Sequence, residues 1–235
     1  MRCARLFLFA LFACAAFIEP ALADERQSET VPEANIYIRI SDRFRFFTAA
    51  SVTQSLTEGV TDGELAAYID ILTLRPILQQ QLIDADWARN RYVWGRVGFA
   101  FAGIHEGLHL DQGYSEKRFV AELSARYPLA SGAFAVSRAR WDARTLDGER
   151  SDRYRVRVGL EKEFTLLNRA MVPYATAEFF YDTRFDAWSR QVYQVGVEIE
   201  LLEHFRLEPY YAFQIDTGTS PTHLDRFGLV LKYYR

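Results

Sequence analysis

Two histidines with a glutamate between them, His105, Glu106 and His109, match the H-E-x-x-H pattern of zinc proteases. That chemistry needs the two histidines one helical turn apart, so that both reach the metal from one face. Here the motif lies in a connection between two predicted strands, contains Gly107, and has no third ligand at the usual spacing. We therefore interpret it as a polar outer loop, and we predict neither a metal site nor a cofactor.

A second group with catalytic potential flanks the last loop of the chain, where His223 lies near Asp216, Asp225 and Ser220. A histidine beside a carboxylate can act as a general base toward a serine. The same loop is rich in turn residues, which favours a solvated connection. We predict no catalytic residues and no enzyme activity, and keep an outer-membrane enzyme that acts on lipid at the outer rim as the alternative.

Most of the charged side chains recur at every second residue, most clearly between Ser151 and Thr165. A period of two is the signature of a strand whose successive side chains point to opposite faces. A helix, which turns by about 100° per residue, would spread the same charges around its circumference. One face of this strand is charged and the other apolar: Arg153, Arg155, Arg157, Glu161 and Glu163 against Tyr154, Val156, Val158 and Leu160.

Other segments repeat this pattern, so the charged faces would together line the interior of a closed sheet. We predict a charge-paired lumen, because a small barrel has little free bore once arginines fill it. The competing interpretation is an anion-attracting pore wall. Antiparallel neighbours should place Glu178 level with Arg157, and Asp182 nearer Arg153. The predicted residues are Arg138, Arg140, Arg153, Arg155, Arg157, Glu122, Glu161, Glu163, Glu178, Glu198 and Glu200.

About eleven alternating segments have the length of roughly 8–13 residues that a tilted strand needs to cross a bilayer. The sequence contains no convincing amphipathic helix, so every neighbouring pair can be antiparallel. We therefore predict an all-β fold, an antiparallel transmembrane β-barrel of about 10–12 strands. Single-chain outer-membrane barrels have even strand numbers, so we expect ten or twelve. The count is ten if Ile36–Ile40 is only a partial strand, and twelve if the irregular stretch Ile77–Ala88 contains one more strand.

The first 23 residues have the features of a cleavable signal peptide. Arg2 and Arg5 precede an apolar run from Leu6 to Phe17, and Ala21-Leu22-Ala23 is a small-x-small cleavage site. We expect a signal peptide over residues 1–23, a polar leader over 24–33 and the barrel over 34–235. Cys3 and Cys14 are the only cysteines, so the mature protein would contain no disulfide and no cysteine metal site.

Composition and charge narrow the classes of protein further. The chain of 235 residues is 49% hydrophobic and 15% aromatic, which is too apolar for a disordered protein. Without Arg2, Arg5 and Glu19 its 28 basic and 31 acidic residues become 26 and 30, and no basic stretch dominates. Nucleic acid is therefore not an expected partner.

Alternation alone does not distinguish a membrane barrel from a soluble, ligand-binding periplasmic barrel with its apolar face inside. The aromatic residues favour the membrane, because they gather where a girdle at the bilayer interface is expected. The charged face also carries both signs at matching depths, as a crowded interior requires. The aromatic residues concerned are Phe44, Phe46, Tyr127, Trp141, Phe164, Phe179, Tyr181, Trp188, Phe205 and Tyr233.

Four segments, YRVRVGLEKEF, PYATAEFFYD, RLEPYYAFQID and FGLVLKYY, resemble the bacterial domain of unknown function 2490 family. The resemblance extends over Arg118 to Tyr234. It implies a signal peptide and an outer-membrane-type barrel, and it carries over no functional residues because the family has no established activity. Many outer-membrane barrels end in an aromatic residue, whereas this chain ends in Arg235.

The sequence thus predicts a monomeric protein of the bacterial outer membrane, inserted into the lipid bilayer by the barrel-assembly machinery. Its expected role is passive, as a narrow channel or a structural envelope protein.

Overall fold

The computed structural model describes residues 26–41, 43–56, 59–71, 93–103, 114–129, 132–217 and 223–235. All regular structure in these ranges is β-strand, and none of their residues forms a helix that could cross a membrane. The strands are β1 (Arg26–Arg39), β2 (Phe44–Ser55), β3 (Gly59–Ile71), β4 (Val93–Gly103), β5 (Ser115–Pro128), β6 (Ala133–Leu146), β7 (Glu149–Lys162), β8 (Phe164–Leu166), β9 (Arg169–Asp182), β10 (Ala187–Leu202), β11 (Phe205–Asp216) and β12 (His223–Tyr234).

Eleven long strands form one closed barrel, and the three-residue β8 pairs only with β9. Consecutive long strands pair antiparallel, with β7 joined directly to β9. The barrel closes through β1 and β12, which run parallel from Arg26 opposite His223 to Tyr37 opposite Tyr234. The expectations of an even strand number and of antiparallel pairing throughout were therefore wrong. An odd number of alternating strands leaves its first and last members pointing the same way, so the closing pair must be parallel.

The parallel closing pair depends on a full-length first strand. Residues 26–33, expected to be a polar leader, form the first half of β1, and Ile36–Ile40 is only the end of that strand rather than a partial strand by itself. Glu29 and Val31 are buried, while Pro32 and Ala34 are exposed. The pairing of β1 with β2 is interrupted at Val31 and Pro32, since proline has no N–H to donate. The other candidate for an extra strand, Ile77–Ala88, lies outside the described residues.

The barrel has two ends, which we name by the strands that define them. The N-terminal rim is where β1, β3, β5, β7, β10 and β12 begin and where β2, β4, β6, β9 and β11 end. The C-terminal rim is where β12 ends, together with the tight turns at Leu167-Asn168 and Glu203-His204. Tight turns are not confined to one rim, because Asp147-Gly148 closes the β6–β7 hairpin at the N-terminal rim.

The two faces of the barrel wall differ sharply in polarity. Outward side chains are large and apolar, and they remain accessible: Phe99 is 59% exposed and Leu123 57%. Many inward side chains are charged and buried, and Asp142 has no exposed surface. A smaller apolar cluster, formed by Phe47, Ala66, Tyr68, Ala100 and Val120, also lies inside the barrel. Charges buried inside and large apolar side chains exposed outside are the reverse of a water-soluble barrel, whose interior is filled by apolar side chains.

Two inward glycines make room for tyrosine rings inside the barrel. A Cβ at Gly228 would overlap the ring of Tyr210 on the neighbouring β11. A Cβ at Gly98 would overlap the Ala67 carbonyl oxygen and lie 2.7 Å from the Tyr68 ring, both closer than real Cβ atoms approach. Both positions therefore require glycine for space, Gly228 because of the tyrosine ring and Gly98 because of the β3 backbone as well as the ring.

Candidate functional site: the ion-paired lumen and its cavity

The most concentrated group of charges surrounds Asp142 on β6. Its carboxylate accepts a hydrogen bond from Arg140 Nε at 2.6 Å and from Arg153 Nε at 3.1 Å. Arg155 Nη2 lies 2.6 Å from the same carboxylate. The β6–β7 register accounts for the cluster, because it sets Asp142 opposite Arg153 and Arg140 opposite Arg155. The Arg155 guanidinium also lies over the Phe180 ring, 4.9 Å from its centroid, which adds a cation–π contact.

A second shared carboxylate is Glu178 on β9. It accepts hydrogen bonds from Arg138 Nη2 and from Arg157 Nη2, each at 2.7 Å. The register sets Arg157 directly opposite Glu178 and Arg153 opposite Asp182, the pairing expected for antiparallel strands. One carboxylate therefore serves two guanidiniums, as Asp142 serves three.

The half of the lumen toward the N-terminal rim is densely packed. Arg144 Nη2 lies 2.5 Å from Asp182, and Arg118 Nη2 lies 2.5 Å from Glu64. Val120 and Gln214 in the same half have no exposed surface. Further ion pairs line the adjoining walls of this half, Arg190–Asp216 at 2.6 Å and Arg226–Glu29 at 2.7 Å, so paired side chains fill the space between the walls. Asp70 pairs with both Arg45 and Arg96 at 2.6 Å, but this group lies toward the C-terminal rim, where β3 ends and β2 and β4 begin.

The half toward the C-terminal rim contains a cavity of about 420 Å³. Charged pairs line it as well: Lys232 Nζ lies 2.5 Å from Glu198 and contacts Glu208, and Arg206 Nη1 lies 2.6 Å from Glu198. Trp94 and Tyr174 are among its aromatic walls. The lumen is therefore divided into a packed half and an open half.

All eleven residues of the predicted lumen set belong to the inward face, and seven of them line the cavity: Arg138, Arg157, Glu122, Glu161, Glu163, Glu198 and Glu200. The other four, Arg140, Arg153, Arg155 and Glu178, belong to the packed centre. Glu122 accepts a hydrogen bond from Ser124 Oγ at 3.2 Å and lies 3.7 Å from Arg138. Glu161 and Glu163 both pair with Arg126.

The prediction omitted several residues that carry much of the ion pairing. Asp142 continues the period-two series of Arg138 and Arg140, so the alternation was sufficient to include it. Asp70 and Arg96 lie on the inward faces of β3 and β4, and the same signal places them there. What the sequence does not reveal is which of these charges share a partner.

The described residues of the group around His223 lie at the N-terminal rim, where β11 ends and β12 begins. Asp216 faces the lumen and pairs with Arg190, whereas His223 stacks on Phe213 with ring centroids 5.7 Å apart. Asp225 accepts a hydrogen bond from the Tyr211 hydroxyl at 2.6 Å. Ser220 lies outside the described residues, as does the H-E-x-x-H motif of His105 and His109. In the described ranges, no three histidine, cysteine or acidic residues are placed to hold a metal ion.

Comparisons with known proteins add little to this description. No family model matches the sequence, and no curated protein gives a significant match. Among solved structures, an anion-selective porin from Comamonas acidovorans aligns with a TM-score of 0.36 and 12% sequence identity. The alignment covers 84% of this chain and 54% of the porin, so the chain spans about half the porin's length.

Proposed function

We propose that the protein is a monomeric β-barrel of the bacterial outer membrane whose ion-paired interior closes the lumen. Its role is that of a structural envelope protein, or at most a narrow channel. The observation that carries this proposal is the inverted polarity of the wall, with exposed apolar side chains outside and buried ion pairs inside. The signal peptide over residues 1–23 and insertion by the barrel-assembly machinery belong to the same proposal.

The outer surface supports a membrane environment. Val156, Val158 and Leu160 on β7 are all exposed, and so continuous an apolar surface has no stable place in water. A closed barrel also satisfies the backbone hydrogen bonds that a bilayer would leave unpaired. From Tyr154 to Phe164 the wall rises by ten residues, or about 25 Å at the usual tilt. That height matches the apolar band of outer-membrane barrels.

A row of aromatic residues crosses six neighbouring strands on the outer surface. Rings in contact include Phe99 with Phe119, whose centroids are 5.5 Å apart, and Tyr181 with Trp188 at 5.8 Å. Trp141 and Tyr154 lie opposite each other in the β6–β7 register. The Trp141 indole N–H donates to Asp152 at 2.9 Å, so the polar tip of this ring is satisfied, as at a membrane interface. The row is formed by Phe99, Phe119, Trp141, Tyr154, Tyr181 and Trp188.

The packed half of the lumen favours a closed barrel over a wide pore. In an open pore the inward side chains would contact water along the whole length of the channel. Here Asp142, Val120 and Gln214 have no exposed surface, and arginines fill the space that ions would need. We therefore rank the structural role above the narrow channel.

Two measurements test the proposal in sequence. Membrane fractionation with heat-modifiable gel mobility is expected to place the protein in the outer membrane as a compact barrel. Recovery in the soluble periplasmic fraction would reject the membrane assignment. The purified barrel is then expected to give no sustained conductance in planar bilayers. Regular conductance steps would instead show that the protein is a channel.

A further inference from the structure

The cavity toward the C-terminal rim is a blind pocket inside the barrel. Its volume of about 420 Å³ lies within the range of small-molecule sites. Arg157 lines it beside the packed centre, and Glu161 lines it four residues further along β7 toward the rim, a rise of about 13 Å. A pocket of this volume and depth has room for a ligand of one or two rings.

The charged side chains of the lining are already paired with one another. Of the carboxylates that line the cavity, only Glu200, near the rim, has no ion pair among the described residues. A charged ligand would therefore have to displace an existing pair, whereas an uncharged ligand would not. The pairs are Arg45 and Arg96 with Asp70, Arg126 with Glu161 and Glu163, Arg138 with Glu122 and Glu178, Arg157 with Glu178, Arg206 with Glu198, and Lys232 with Glu198 and Glu208.

An ion pair still leaves hydrogen-bonding capacity on both of its partners. A guanidinium carries five N–H donors, and a carboxylate can accept about four hydrogen bonds. Arg157, for example, donates to Glu178 only through Nε at 3.2 Å and Nη2 at 2.7 Å. A hydroxyl group both donates and accepts, so it can bond to such a pair without breaking it. The paired walls of the cavity therefore favour a ligand rich in hydroxyl groups.

Four neutral polar groups of the lining are also left open toward the cavity. No described residue forms a hydrogen bond with the Trp94 indole N–H or with the hydroxyls of Tyr37, Thr176 and Tyr234. Polar groups inside a protein are normally hydrogen-bonded. These four must therefore be satisfied by whatever fills the cavity.

The two tyrosines are held in place by a stack of rings that crosses β12, β1, β2 and β3. Tyr234 stacks on Tyr37 with centroids 4.6 Å apart, Tyr37 on Phe47 at 4.5 Å, and Phe47 on Tyr68 at 5.4 Å. Phe47 and Tyr68 are buried, which fixes the far end of the stack. Because the rings are fixed before a ligand enters, binding to their hydroxyls costs little conformational entropy.

Trp94 provides a large ring face that no other described ring or cation covers. It lies on the inward side of β4, opposite Ser124 of β5. The face of an indole is negative, and the C–H groups on one face of a sugar ring carry a small positive charge. A sugar ring can therefore pack flat on Trp94 while the hydroxyls at its edge reach the surrounding polar groups.

We infer that this pocket binds an uncharged sugar of one or two rings, packed against Trp94 and hydrogen-bonded by the hydroxyls of Tyr37, Thr176 and Tyr234 and by the ion pairs around them. The paired lining selects against charged derivatives of the same sugar, because their charge would find no unpaired partner. This inference goes beyond the proposed structural role and does not depend on which membrane holds the barrel.

Calorimetry on the purified barrel tests the inference with glucose, galactose, mannose, maltose and lactose. The detergent must carry no sugar headgroup, so lauryldimethylamine oxide is used in place of glucosides and maltosides. At least one of the five is expected to bind at millimolar concentration or below. The amino-sugar and uronic-acid forms of the sugar that binds should be about 10-fold or more weaker. Binding of none of the five, or a charged form as tight as the neutral one, would overturn the inference.

Variants then test the position of the ligand. Trp94→Leu is expected to weaken binding about 10-fold or more, and Thr176→Val about 3-fold or more through the lost hydrogen bond. Trp141→Leu is the matched control, because Trp141 lies on the outer wall and is 38% exposed, and it should bind as the wild type does. Equal binding by the two tryptophan variants would overturn the site. If Trp94→Leu does not fold, as judged by heat-modifiable gel mobility, wild-type binding by Thr176→Val would overturn it instead.

Discussion

At the scale of single residues, the lumen is governed by carboxylates that several arginines share. Glu178 lies between Arg138 and Arg157 and is 3% exposed. Removing this carboxylate leaves Arg157 without its partner and Arg138 with only Glu122, 3.7 Å away, whereas removing one arginine leaves a pair that is still neutral. The stability of the barrel is therefore expected to depend more on each shared carboxylate than on any one of the arginines around it.

The pair of Arg157 and Glu178 tests this expectation. Glu178→Ala is expected to cost about 3–5 kcal/mol of unfolding free energy, because it leaves Arg157 without its carboxylate partner and Arg138 with only the more distant Glu122. Arg157→Ala should cost less, since Glu178 keeps Arg138. The double variant should cost at least about 1 kcal/mol less than the sum of the two. Urea titration of the barrel refolded into detergent measures all three values, and strict additivity would mean that water solvates these groups separately.

The sequence was sufficient to predict which face of the strand these residues occupy, but not which residues they form ion pairs with. Alternation is a local property, so Arg153, Arg155 and Arg157 had to share one face once β7 was identified as a strand. Which cation reaches Asp142 depends on the register of β6 with β7 and on side-chain rotamers. Neither is encoded in any short segment of the chain, so the sequence does not reveal which arginines share Asp142.

At the scale of whole strands, a strand could be predicted from the sequence only where its outward side chains form an apolar stripe. β7 and β10 were evident because their outward residues are large and apolar. Only the second half of β1 was predicted, as Ile36–Ile40, because the first half carries Thr30, Pro32 and Ala34 outward, which give no apolar stripe. The first half of β1 is held in the barrel by pairing with β12, and the paired residues are about 200 positions apart in the sequence.

The outward face of β10 provides a test of lipid contact. Val197 lies near the middle of this strand, so Val197→Arg is expected to cost about 2–4 kcal/mol of stability in lipid. Leu167→Arg is the matched control, because Leu167 is 88% exposed in a tight turn at the C-terminal rim. Folding titrations in liposomes measure both variants. If the two arginines were tolerated equally, the face around Val197 would not contact the hydrocarbon.

The inward glycines provide a test of packing between strands. Gly228→Ala is expected to destabilise the barrel by about 1–3 kcal/mol, since the new methyl group must displace the Tyr210 ring. Gly95→Ala is the control, because the nearest atom to its added Cβ would be Glu122 O at an ordinary 3.7 Å. Thermal unfolding in detergent compares the two. A Gly228→Ala variant as stable as Gly95→Ala would mean that the ring moves freely.

At the scale of the whole molecule, the sequence was sufficient to predict the barrel and the count of about eleven segments, but the inference from that count was wrong. The rule of even strand numbers led to ten or twelve, whereas the chain closes with eleven. Strand number is set by closure of the complete sheet, and no individual segment carries that information. The division of the lumen into a packed half and a cavity is likewise a property of the assembled wall.

Because β1 and β12 are parallel, the two ends of the barrel chain lie at opposite rims, whereas in an even-stranded barrel both ends lie at the same rim. Arg26 and Arg235 lie at opposite rims, so in a membrane the chain enters the barrel from one compartment and leaves it into the other. An epitope inserted before Arg26 and another appended after Arg235 should therefore differ in antibody labelling of intact cells, with only one of them reached until the envelope is permeabilised. Labelling of both epitopes, or of neither, in intact cells would contradict the parallel closure. If the sidedness holds, fusions at the two ends would report on two different compartments from a single polypeptide.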